Sequence, residues 1–341
     1  MNGYERFKRA LEGKKTDHLP VMLHNFMPAA REAGVTMEEY RNSPQVMAKV
    51  HLDAARKYGL DGILFDVDTC LEAGAVGMPV EFPVDGPAAS LGAVSDNVDE
   101  VIEMMCPQRL INDERVKRHL EAIHLLKKQA AGEIFIRGNC DQMAFSLAML
   151  AYGMQDFLTD LLDEECEKKI IALLDRAYDV HLTFNKLVME AGADMVSFGD
   201  SSCGPDLIGR DMYMKYAYPW HKRLKQNLDQ LGYQTICHIC GNLDIILEDV
   251  ASIGFAGVEI DYKTNVSYAA KKFRNKSVVF GIIDPAGVFY QGTPKEVISE
   301  TKKVLDEFQG SGIIIGAGCA LPPLTPSENI EAFVKAVRAY Q

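Results

Sequence analysis

The stretch QTICHICG, residues 234–241, decides how the chain is read. It is near-continuously apolar and stops at a glycine, as a strand buried on both faces does. Seven other runs have the same form: HLPVMLH (18–24), GILFDVD (62–68), IFIRGNC (134–140), ADMVSFGD (193–200), GVEIDY (257–262), VVFGIID (278–284) and GIIIGAG (312–318). Helical patterns separate them. TPKEVISETKKVLDEF (293–308) and TPSENIEAFVKAVRAY (325–340) each open with Thr, then Pro at the first helical position, then Glu where a capping box places it. Eight strands alternating with helices predict the α/β class and a closed (β/α)8 TIM barrel, formed as one domain over 1–341. The competing architecture, a doubly wound open sheet, finds no G-x-G-x-x-G after the first strand.

Two additions to the barrel are expected. The N-terminus reads as an amphipathic helix with Tyr4, Phe7, Ala10 and Leu11 on one face. The second and third strands are separated by residues 69–133, whose Pro/Gly-rich part GMPVEFPVDGPAASLGAVSD (77–96) predicts a lid or rim element, with helix resuming near Asp99.

A net charge of −12 argues against nucleic acid or an anionic membrane surface as partner. The N-terminus lacks the apolar core of a secretion signal, and no run of about 18 apolar residues follows. The eight cysteines are scattered rather than spaced as a disulfide framework, which points to a reducing cytoplasm.

In a barrel of this kind the chemistry sits at the C-terminal strand ends. Those ends carry His24, Asp66 and Asp68, Arg137, Asn139 and Cys140, Asp200, His238 and Cys240, Asp261, Asp284 and Cys319. Period two places His238 and Cys240 on one face of their strand and Cys237 on the other. The segment therefore reads as H-x-C, and C-x-x-C, which works in a turn or helix start, is set aside. Cys319, fixed by the glycines and Pro-Pro of GAGCALPPLTPSEN, is the natural third ligand. One imidazole and two thiolates favour Zn2+ and leave a coordination position open, the mark of a catalytic site. A buried histidine with two inert core cysteines is the bland alternative.

HICGN (238–242) and GAGCALPPLTPSENI (316–330) resemble the paired zinc-site motifs of the methyltransferase branch of the uroporphyrinogen decarboxylase superfamily. The likeness continues through GLDGILFDVDTCLEAGAVGMPVEF (59–82) and RFKRALEGKKTDHLPV (6–21), so it spans the chain. It implies a (β/α)8 barrel and a zinc held by His238, Cys240 and Cys319. It also places Asp68 where the decarboxylases carry their ring-binding aspartate. Glu72 lies in a segment where methyltransferase relatives carry acidic residues: a fourth ligand or proton acceptor, or else a solvated loop carboxylate. Asp66 shares the face of Asp68 and is a candidate partner for Arg137. Asp200 either lines the pocket or caps the following turn, and Cys203 stays unassigned.

The same resemblance bears on the reaction. Decarboxylases of the superfamily follow the first strand with an arginine-rich motif; here HNFMPAARE holds Arg31 alone. Uroporphyrinogen decarboxylation would also leave the His/Cys/Cys set unexplained. Methyl transfer between a small methyl donor or acceptor and the cobalt of a corrinoid fits better. No Asp-x-His-x-x-Gly corrinoid motif is present, so the cobalamin-type cofactor is expected on a separate corrinoid protein. Arg137 is the one cation among the predicted strand ends, which favours a neutral donor such as a methoxylated aromatic over a sulfonated thiol of the coenzyme M type. Phe198, Tyr262 and Tyr290 are then candidate ring contacts. A non-catalytic zinc-binding barrel is the remaining alternative.

Overall fold

The computed structural model describes residues 1–309 and 312–340. All eight expected strands form: β1 Met22–Leu23, β2 Gly62–Phe65, β3 Phe135–Gln142, β4 Met195–Gly199, β5 Thr235–Ile239, β6 Gly257–Ile260, β7 Val278–Ile283 and β8 Ile313–Ala317. Each pairs in parallel with the next in chain order. A parallel bridge from Val21 to Ile315 joins first to last and closes the (β/α)8 barrel. At that seam the strands approach so closely that a Cβ on Gly316 would run into the Met22 carbonyl.

The floor of the barrel is apolar. Met22, Leu64, Phe135, Met195, Ile236, Val278, Phe280 and Ile314 point inward and pack with Phe7. Phe7 comes from the N-terminal helix Gly3–Leu11, which opens with an Asn2/Glu5 capping box. Its ring stacks on Phe135 with centroids 4.3 Å apart, while Tyr4, Ala10 and Leu11 pack at the edge of the plug, as their shared face predicted. Arg6 on the same helix pairs with buried Asp61, which also takes Arg338 Nη2 at 2.9 Å and the Val21 amide at 2.9 Å. The helix is thereby tied to both sides of the seam.

The connection after β2 holds a short helix, Leu71–Ala75, and an antiparallel hairpin, Val80–Glu81 with Ala89–Ser90. Helices Val98–Met104, Pro107–Asn112 and Glu114–Ala130 follow, the last packing outside the barrel as its regular helix. The rim element is therefore shorter than the whole 69–133 span.

The helix Pro294–Phe308 has the expected Thr293/Glu296 capping box. The second helix does not. It runs Ser327–Ala339 with Pro326 at the cap position, because Thr325 closes the Pro-Pro turn instead, its hydroxyl donating to the Pro322 carbonyl at 2.7 Å. No helix among the described residues is long and apolar enough to cross a membrane.

Candidate metal centre

Alternation along β5 places His238 inward and Cys237 outward, where Cys237 is fully buried among core side chains. Cys240 follows two residues on, just past the end of the strand. Across the mouth Cys319 leaves β8 after Gly318, a position where any Cβ would press on the backbone of Ile260, Asp261 and Tyr262 at 3.0–3.2 Å. The three side chains converge. His238 Nε2 lies 3.0 Å from Cys240 Sγ, Cys240 Sγ lies 3.8 Å from Cys319 Sγ, and all three ligand atoms fall within 4.8 Å of one another.

This geometry fits zinc. Two sulfurs each about 2.3 Å from a tetrahedral ion stand about 3.8 Å apart, the spacing Cys240 and Cys319 already have. The protonation states are those of ligands waiting for a cation. The Cys319 hydrogen bond and the facing imidazole hold the Cys240 thiol down at about 3, against the effect of burial. Burial opposes protonation of His238, but the Cys240 thiolate outweighs it and lifts the imidazole to about 9. Cys319, bonded to that thiolate, is pushed up instead. Two sulfurs this close cannot both ionise until a positive charge stands between them.

The imidazole is oriented from behind. His238 Nδ1 donates to the Glu259 carbonyl at 3.2 Å, leaving Nε2 to face the thiols. The Glu259 carboxylate lies 3.7 Å from the same Nδ1 and accepts from Arg137 Nη2 at 2.6 Å. Burial works against its charge, yet Arg137 and then His238 hold it ionised down to about 2.

The sequence model of the uroporphyrinogen decarboxylase (URO-D) family matches residues 2–340. The chain belongs to that family. Among relatives of this URO-D member is the methylcobamide:CoM methyltransferase MtbA of Methanosarcina acetivorans, 28% identical over 352 residues, covering 99% of this chain and 98% of the relative. The uroporphyrinogen decarboxylase of Carboxydothermus hydrogenoformans is 26% identical, covering 98% and 95%. A solved methyltransferase from Methanosarcina mazei superposes with a TM-score of 0.89 at 22% identity, over 99% of this chain and 98% of that one, and shows the same fold. The resemblance to the methyltransferase branch, read from the two cysteine motifs, is borne out.

Other residues of this URO-D barrel differ from expectation. Arg137 is not at the mouth. It sits early in β3, 2% exposed, above the plug with its guanidinium 5.5 Å from the Phe280 ring, and its charge is met by Glu259 rather than by Asp66. Asp66 instead bonds His24 Nε2 at 2.7 Å, Asn139 Nδ2 at 3.0 Å and the Val67 amide at 2.8 Å. Asp66, His24 and Asn139 thus form a polar wall along β1–β3, the His24 carbonyl accepting the Leu321 amide at 2.8 Å just beyond Cys319.

Asp68 accepts from the Cys70 amide at 2.8 Å and from Arg115 Nη2 at 2.7 Å. Glu72 is neither a solvated carboxylate nor one of the converging ligand groups. It is fully buried behind the strands, accepts the Gln142 amide at 3.0 Å, and lies 3.2 Å from His181 Nδ1. Burial raises its carboxyl well above the usual range.

Phe198 faces the outer helix layer, packed among His181, His221 and Phe255, because it shares the face of Cys237 and not of His238. Asp200 follows on that same outward face. It neither lines the pocket nor caps the next turn, but accepts the Ser146 amide at 2.8 Å and pairs with His221 Nε2 at 2.8 Å. Cys203 joins it by donating to the Asp200 carbonyl at 2.9 Å. Asp200, Cys203 and His221 also have ligand atoms within 4.8 Å, but the carboxylate and imidazole already bond each other and the thiol already bonds the Asp200 backbone carbonyl. Their role is local support: Asp200 N donates to the His238 carbonyl at 2.9 Å, and the adjoining Ser201 hydroxyl accepts the Cys240 amide at 3.3 Å. Tyr262 is exposed on the loop after β6, and Tyr290 is exposed at the end of the helical turn Pro285–Tyr290 that follows β7. Glu259 and His181 were not singled out from the sequence, although Glu259 stands mid-strand in GVEIDY, where a carboxylate must face either a partner or the barrel interior.

Proposed function

We propose that this chain is a zinc-dependent methyltransferase that moves a methyl group from the cobalt of a separate corrinoid protein to a small thiol. The observation that supports this reading is the convergence of His238, Cys240 and Cys319 at the barrel mouth. Identity alone does not choose, since methyltransferase and decarboxylase relatives lie at 28% and 26%. The residues do. A decarboxylase has no use for a His/Cys/Cys set and needs cations for a polycarboxylate, whereas Arg31 is exposed and Arg137 is consumed by Glu259.

His238, Cys240 and Cys319 would hold the zinc ion, and the chemistry it would supply is to favour the ionised form of a thiol near neutral pH, the form that attacks carbon. Each chain residue has a task in that chemistry. Cys240 and Cys319 supply the two negative charges that make the site sulfur-rich, and a sulfur-rich site suits a soft thiol better than an ether oxygen. Glu259 fixes the His238 ring, Arg137 fixes Glu259, and Ser201 holds the Cys240 backbone. The apolar plug closes the barrel below and keeps bulk water to one side. In the transfer the carbon–cobalt bond breaks with its electron pair left on cobalt, and a carbon–sulfur bond forms.

The aromatic-ether reading loses one ring contact, since Phe198 faces away. A single assay compares the two. Methylcobalamin or methylated corrinoid protein is mixed with the chain and a panel of thiols, and loss of the methyl-cobalt absorbance is followed. Reduced corrinoid with methoxylated aromatics forms the reverse arm. Thiol-dependent loss of methyl-cobalt is the expected result. No loss with any thiol, together with methyl-cobalt formation from an ether, would replace this reading with O-demethylation.

A further inference from the structure

We propose that the hairpin inserted after β2 is the docking surface for the corrinoid-carrying protein, a proposal that rests on the methyl-transfer reading above. Three large apolar side chains stand uncovered on this short segment: Phe82 at 42%, Val84 at 53% and Leu91 at 65% exposure. Single exposed apolar residues are ordinary, but three within the ten residues 82–91 concentrate apolar surface on this one insertion. Beside it lies a cleft of about 260 Å3 lined by Glu38, Arg41, Asn42, Phe82, Arg115 and Arg118. The Arg115 guanidinium lies 4.7 Å from the Phe82 ring and that of Arg41 5.7 Å, so charge and apolar surface are continuous.

The hairpin is held firmly. Arg41 bonds the Pro83 carbonyl at 2.6 Å and the Gly86 carbonyl, and the Glu38 amide donates to the Val84 carbonyl at 2.9 Å. It is also at the mouth, because Arg115 bonds Asp68 at the end of the β2 run. Arg118 is different from its neighbours: its buried Nε has no partner, and its guanidinium makes no hydrogen bond or ion pair among the described residues. Arg41, Arg115 and Arg118 line the cleft with Glu38 as its one acidic residue, Asp68 pairing with Arg115 and Glu114 lying near Arg118, in a chain whose net charge is −12. The charge that complements this cleft is a carboxylate, so the carrier protein presents acidic side chains around an apolar contact. Docked there, it covers the mouth and brings its cobalt over the cysteines.

The test uses the intact chain with the variants Arg118→Glu and Leu91→Asp, neither of which removes a contact that holds the fold. Methyl transfer to a thiol is measured against the concentration of methylated corrinoid protein and, in parallel, of free methylcobalamin. The carrier KM rises roughly tenfold or more in Arg118→Glu, since a like charge opposes the partner, while transfer from free methylcobalamin stays within about twofold. For the unsubstituted chain the carrier KM rises with added salt. An unchanged carrier KM in both variants, or an equal loss with free methylcobalamin, would overturn the proposal. If the unsubstituted chain transfers nothing from either donor, the methyl-transfer reading has failed. Sedimentation of the chain with the carrier then decides the docking alone: a complex weakened by Arg118→Glu supports it, and no complex overturns it.

Discussion

Arg137 and Glu259, 122 residues apart in the chain, meet inside the barrel in an ion pair of 2.6 Å, and Glu259 passes that support to His238 through its carbonyl. The candidate metal ligand His238 is therefore anchored by a buried charge pair. The arrangement has separate consequences for metal affinity and for stability.

Replacing Glu259 by Gln removes the charge behind His238 and leaves its carbonyl in place. Outer partners of this kind are worth about 10–100-fold in metal affinity. Zinc competition against a chromophoric chelator should show a loss in that range, with stoichiometry still approaching one ion per chain at excess zinc. An unchanged affinity would mean the carbonyl alone orients the ring.

Arg137→Met addresses the same pair from the other side. It strands the Glu259 carboxylate in a place 9% exposed. Breaking a buried pair by removing one partner costs about 3–5 kcal/mol. Urea unfolding should register that loss. The double variant Arg137→Met/Glu259→Gln, which removes both charges, should recover a large part of it.

Cys319→Ala should abolish stoichiometric zinc, and Cys237→Ala should not, since Cys237 faces the helix layer. Metal analysis after gel filtration gives the answer directly. Both variants keep their circular dichroism, because a barrel of this size has a sufficient core without the metal. Zinc retained in Cys319→Ala would remove β8 from the site.

Three buried histidines set the acid limit. Burial depresses His51 and His119 to about 4 and His181 to about 3, against the pull of Asp66 on the first two and Asp200 on the third. Each is neutral in the fold and takes up a proton on unfolding once the pH is below the ordinary histidine value of about 6.5. The stability they contribute is thus present above about pH 6.5 and lost as pH falls through the folded values. The loss is up to about 1.4 kcal/mol per pH unit for each histidine. Buried Glu72, whose carboxyl is raised, works in the opposite direction, so the histidine contribution is read from the variant: between pH 7 and 4 the denaturant midpoint of His119→Phe should fall less than that of the unsubstituted chain. An identical slope in the two would contradict the burial of this ring.

The strands were legible because each is apolar on both faces and ends in a polar residue, a pattern that parallel barrel strands require. The same alternation identified His238 with Cys240 and excluded Cys237. Applied to ADMVSFGD it would also have sent Phe198 and Asp200 outward, but the pattern there gives no ligand to reveal which face is inside. Asp66 and Arg137 look equally available as partners in sequence. Only closure of the barrel shows that Arg137 on β3 reaches across the interior to Glu259 on β6, and that Asp66 after β2 reaches His24 after the neighbouring β1. His181 lies within a long helix, 109 residues from Glu72, and nothing local connects the two. Thr325 failed as a cap because the neighbouring Pro-Pro turn engaged its hydroxyl first.

The Phe7–Phe135 stack has a kinetic meaning. With the floor sealed, whatever enters the barrel shares one doorway with whatever leaves. A bulky carrier seated over that doorway blocks the smaller reactant in both directions. On the methyl-transfer reading proposed above, the thiol is expected to enter first and its methylated product to wait until the carrier departs, a compulsory order with the small molecule first in and last out.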